Sequence, residues 1–159
     1  MSARRDVVEV ITVGAPFAVF KLAVGAHLLQ ASAPTPTLLG WPLVALGVTD
    51  LALNAGNGLA LAIRGRRLGP ICVLHGVVAR LRGPGAAFAE LGLALDAGLA
   101  FVLVAAMIAA GQIALLPSSW LAAWNVAVIL NVLGAGALRL TDAVRRASAA
   151  AHGAPEPRS

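Results

Sequence analysis

Four apolar runs, at residues 8–30, 38–63, 86–115 and 119–140, occupy most of this chain and limit what it can become. Each supplies the roughly 20 residues an α-helix needs to cross about 30 Å of hydrocarbon at 1.5 Å per residue. Hydrocarbon offers no water to backbone N–H and C=O groups, so a segment that crosses it must satisfy them internally, as a helix does. The chain is 59% hydrophobic and 12% charged, where an ordinary soluble domain is about 25% charged. The expected fold is an all-α integral membrane protein with four transmembrane helices within residues 1–142. A disordered cytoplasmic tail is expected over 143–159, which ends Ala154-Pro155-Glu156-Pro157-Arg158-Ser159.

The arginines orient the helices. Arg4 and Arg5 precede the first run, and Arg64, Arg66, Arg67, Arg80 and Arg82 lie between the second and third. Arg139, Arg145, Arg146 and Arg158 lie at the end of the fourth and beyond, while Ala31–Thr37 and Leu116–Ser119 carry no charge. The positive-inside bias then predicts a multi-pass protein with both termini and the middle loop cytoplasmic. It also explains the net charge of +5 without nucleic acid, since the basic residues do not interleave with aromatics and there is no tyrosine. Trp41, Trp120 and Trp124 fall at the outer starts of the second and fourth runs, where an indole suits the headgroup layer. A cleavable leader is disfavoured by the lysine and the length of the first run, and by Pro34 just after Ala31-Ser32-Ala33.

Turn residues at Ala33-Pro34-Thr35-Pro36-Thr37 and Leu116-Pro117-Ser118-Ser119 pair the runs into two hairpins. Both second helices carry an Asn- and Gly-bearing string, Leu53–Leu59 and Leu130–Gly136, which predicts two parallel-related hairpins. Small residues at Gly14, Ala18, Gly56, Gly58, Gly92, Gly98, Gly134 and Gly136 are expected at close helix contacts. In the middle loop, Gly69-Pro70 and Gly83-Pro84-Gly85 bracket a mixed apolar and basic stretch. It reads either as a short helix lying in the inner interface, with Arg64, Arg66, Arg67, Arg80 and Arg82 near lipid headgroups at about 1 kcal/mol each, or as a hairpin linker with a snorkelling basic flank.

Lys21 is the one lysine of the chain, and residues 10–26 hold no other ionisable group. An ammonium at that depth costs about 3 kcal/mol on insertion scales unless paired or hydrated, which makes it a functional-site candidate. Asp50 is its expected counter-ion, at similar depth on the neighbouring helix. Asn54 and Asn57 follow Asp50 at i+4 and i+7, a polar stripe suited either to a water-filled path or to helix–helix hydrogen bonds. Asp96 falls either in the inner third of the membrane or at its interface, depending on where the third helix starts. His27 is a candidate proton relay or a structural histidine. Asn125 and Asn131 read as packing residues, and Arg139 with Asp142 as a helix-end pair.

No His/Cys set has metal spacing, no paired histidines suit haem, and no phosphate loop or nucleophilic triad is present, so neither metal nor cofactor is expected. These residues are consistent with an oligomeric channel or transporter built on the Lys21–Asp50 pair. They are also consistent with a non-catalytic membrane subunit whose pair specifies assembly, and less so with a lipid-modifying enzyme. The expected partners are the bilayer and either further copies of the chain or a membrane subunit.

Overall fold

The computed structural model describes residues 3–31, 34–82 and 86–151, which are almost entirely helical and contain no strand. Four helical segments are long and apolar enough to cross a membrane: Arg5–Leu29, Pro34–Arg64, Glu90–Ala109 and Ser118–Leu138. The Gly83-Pro84-Gly85 terminator, the side chains of Arg82, Arg139 and Asp142, and residues 152–159 lie outside the described residues.

The first span is a composite. It joins α1 (Ala3–Glu9), a π-helical turn (Val10–Gly14) and α2 (Ala15–Leu29). Pro16 accounts for the wide turn: its ring removes an N–H and crowds the carbonyl four residues back, that of Thr12. The ladder shifts to i→i−5, with the Ala15 N–H on the Val10 carbonyl. The Thr12 carbonyl instead accepts a hydrogen bond from Asn131 Nδ2 at 3.1 Å.

This span is the hub of the bundle. It packs against α3 (Pro34–Arg64), α5 (Ala86–Ala109) and α6 (Ser118–Ala151). Along α3 the approach is backbone to backbone, because Gly25 and Gly40 face one another and a Cβ on Gly40 would stand 2.9 Å from the Gly25 carbonyl. Against α5 and α6 the contact is apolar, with Phe17, Phe20, Ala23 and Val24 meeting Ala100, Met107, Trp124 and Ala127. Trp124 is therefore not a headgroup residue: it is 2% exposed, with its ring 5.0 Å from that of Phe20, whereas Trp41 is open. Four of the expected contact glycines, Gly56, Gly58, Gly98 and Gly136, have nothing near the place a Cβ would take.

The middle loop departs most from expectation. Gly65, at φ +67°, ends α3 and turns the chain back. Residues 68–73 then run antiparallel along α3, past Asn57 and Asn54 to Asp50. Asp50 is fourteen positions from Arg64, so at 1.5 Å per residue Val73 stands about 21 Å from the end of α3. There α4 (Val73–Arg82) begins and descends against α5, its His75 backbone resting on Gly92, where a Cβ would come within 2.6 Å of it. The loop is re-entrant into the bundle, because its backbone polar groups find partners on the α3 asparagines. Arg67 is also redirected: its guanidinium pairs with Asp6 at 3.1 Å and Glu9 at 3.2 Å, while Arg64, Arg66 and Arg80 stay exposed. At the other end of the chain, α6 continues as helix to Ala151, beyond the residue 140 at which the apolar run ends.

Candidate functional site

Lys21 is fully buried, and its ammonium is held by two carboxylates, Asp50 Oδ2 and Asp96 Oδ1. Asp50 and Asp96 are only 1% and 3% exposed. Three helices thus each place one ionisable group at a common level: α2, α3 and α5. Removal of such charges from water is offset only by close pairing and further hydrogen bonds.

For Asp50 those bonds are complete. Its second oxygen, Oδ1, accepts the Val73 N–H at 2.6 Å, so the carboxylate also caps the first turn of α4, where negative charge is favoured. The asparagine stripe below it holds backbone rather than lining a water path or joining two spanning helices. Asn54 Nδ2 donates to the Ile71 carbonyl at 2.8 Å and to the Asp50 carbonyl at 2.7 Å. Asn57 Oδ1 accepts from the Leu68 and Gly69 N–H groups, both at 3.1 Å, and its Nδ2 donates to the Pro70 carbonyl at 2.9 Å. The i, i+4, i+7 spacing matches an extended chain laid along one helix face, which buried peptide groups require because they must be paired.

Asp96 is placed differently. One oxygen meets Lys21, and the side chain lines, together with Cys72, a cavity of about 400 Å³. That cavity runs from Glu9, in the Arg67 cluster at the basic end of the bundle, to Asp96. Its walls are apolar apart from Asn131 and these carboxylates, and they include Phe17 and Phe101, whose rings stand edge to face at 6.0 Å. A second cavity of about 360 Å³ lies toward the opposite end, between Val24, Leu28, Leu103 and Met107. His27 sits there, with Nε2 2.9 Å from Gln112 Oε1, two turns along α2 from Lys21 and not bonded to the charged centre. The Phe20–Trp124 contact and Ala100 belong to the packed core between the two cavities.

The structure therefore brings Lys21, Asp50 and Asp96 together, gives Asn54 and Asn57 to the re-entrant segment and leaves His27 apart. Glu9, Cys72, Phe101 and Asn131 join the site without having been singled out for it by sequence. Pro16, four residues after Thr12, is the one local signal for the Asn131 contact, and the Gly69-Pro70 break before Ile71-Cys72-Val73 is the signal for the returning loop. Among the described residues, no cluster of three or more His, Cys, Asp or Glu is arranged to hold a metal ion. Comparison with protein families, with characterised proteins and with solved structures found no match to this chain.

Proposed function

We propose that this chain is an ion-coupled membrane transporter in which the Lys21–Asp50–Asp96 centre takes up and releases a proton. The observation that carries the reading is Asp96, which holds Lys21 and at the same time lines a cavity. Two carboxylates and one ammonium leave an excess negative charge when all are ionised. A bare excess charge in an apolar interior costs several kcal/mol, so the centre calls for a proton or a cation to balance it. Asp50 is committed to Lys21 and the α4 cap, which makes Asp96 the exchanging group. The Glu9–Asp96 cavity gives the centre an approach from one end, and the second cavity lies beyond the packed core toward the other. With the arginine-rich end cytoplasmic, the Glu9–Asp96 cavity faces inward and the His27 cavity outward.

The competing reading, a subunit that recruits its partner through Lys21, has less to rest on, because both counter-charges of the ammonium lie in the same chain. The test is proton flux in liposomes containing a trapped pH-sensitive dye, with sodium, potassium or organic ammonium ions offered in turn. The wild-type protein is expected to move protons faster than empty liposomes with at least one of these ions. Asp96→Asn leaves a balanced Lys21–Asp50 pair, so it should fold normally and lose that flux. Wild-type rates equal to those of empty liposomes under every condition would overturn the proposal.

A further inference from the structure

We infer that the cavity between Glu9 and Asp96 binds a monovalent organic cation, an ammonium carrying an apolar body, in exchange for the proton on Asp96. The inference rests on the transport reading above and names the solute it serves. Four properties of the cavity converge on this class. Its volume of about 400 Å³ falls in the usual small-molecule range of about 300–1,000 Å³. Its two charged lining residues, Asp96 and Glu9, are both acidic, and their counter-ions Lys21 and Arg67 are not part of the lining. Its walls, among them Val13, Ile71 and Leu93, offer apolar surface rather than the shell of oxygen ligands a bare metal cation needs. Phe17 and Phe101 stand edge to face at 6.0 Å in the same lining, and aromatic faces attract desolvated ammonium groups.

The exchange balances. Protonated Asp96 releases its proton to water as the cation enters, the carboxylate becomes the counter-ion of the ammonium, and the net charge of the occupied site is unchanged. No bond other than O–H is made or broken. Raising the pH removes the competing proton, so affinity for the cation should rise with pH.

Titration calorimetry on the purified full-length protein in detergent tests this with benzyltrimethylammonium as probe. Tetramethylammonium, which lacks the apolar body, and phenylmethanesulfonate, which reverses the charge, serve as comparisons. Benzyltrimethylammonium should bind about tenfold tighter than tetramethylammonium, a difference of about 1.4 kcal/mol, while the sulfonate gives no binding heat. Runs in two buffers of different ionisation heat should report about one proton released per cation bound. Asp96→Asn should abolish the proton release, and Phe101→Leu, at a residue 59% exposed, should weaken binding about threefold to tenfold with the release kept. Absence of probe binding, equal binding of the sulfonate, or an unchanged release in folded Asp96→Asn would each overturn the inference. Flux with sodium or potassium but no ammonium binding would sink this ligand class while leaving the transport reading standing.

Discussion

The two helical hairpins resemble one another in sequence and part company in structure. Each second helix carries an Asn- and Gly-bearing string followed by arginines, yet α3 turns its asparagines toward a returning loop and α6 sends a single asparagine to the first span. The difference begins at the helix ends. Gly65 reverses the chain after α3 and lets residues 68–73 lie along Asn57, Asn54 and Asp50, whereas α6 meets no such break and runs on to Ala151. The first span is affected in turn: half of its most apolar window is buried, against 22%, 22% and 18% for the other three. A lysine on that hub can be enclosed completely by one chain. On the outer helices enclosure is confined to the inward face, which Asp50 and Asp96 occupy.

The largest effect expected is at this hub. Lys21→Met leaves two buried carboxylates facing each other without their cation, and removal of one member of a buried ion pair costs about 3–5 kcal/mol. Thermal unfolding in detergent should show it, and Lys21→Met combined with Asp50→Asn and Asp96→Asn should recover much of the loss. If the single variant melts like the wild type, the charges are not enclosed and the contrast between hub and outer helices fails.

Asn57→Ala comes next. It deprives two N–H groups and a carbonyl of the returning loop of their partners, at about 1–3 kcal/mol for each group left buried and unpaired. Cys72, 2% exposed at the inner end of that loop, provides an independent reading. Maleimide labelling of Cys72 should be slow in the native protein, fast after denaturation, and clearly accelerated in Asn57→Ala. Asn125→Ala on the second hairpin removes an exposed side chain and should change neither stability nor labelling.

The same contrast shows what sequence could convey. Helices, their approximate limits and the shared depth of Lys21 and Asp50 follow from apolar length and spacing, which act locally along the chain. Asp96 as a second counter-charge does not, because its level depends on where α5 begins and how α4 packs against it at Gly92. The asparagine stripe was visible, but a stripe specifies that something polar must lie against it and not whether that is water, a helix or a returning loop. Trp124 shows the converse, since an amphipathic ring at a helix start suits an interface equally well until Phe20 is placed beside it.

The smallest expected effect concerns the second hairpin and separates cause from coincidence at Pro16. Asn131→Ala removes the donor to the Thr12 carbonyl, a single hydrogen bond of 3.1 Å, and should cost about 1 kcal/mol. If that bond exists because Pro16 leaves the carbonyl without its i+4 partner, restoring an N–H with Pro16→Ala should let the first span close into ordinary α-helix and satisfy Thr12 internally. Asn131→Ala made in the Pro16→Ala background should then cost clearly less, with a coupling energy of at least about 0.5 kcal/mol between two residues 115 positions apart. Additive effects would mean that the π-helical turn persists without the proline, and the wide turn would then be imposed by the neighbouring helices rather than by the local sequence.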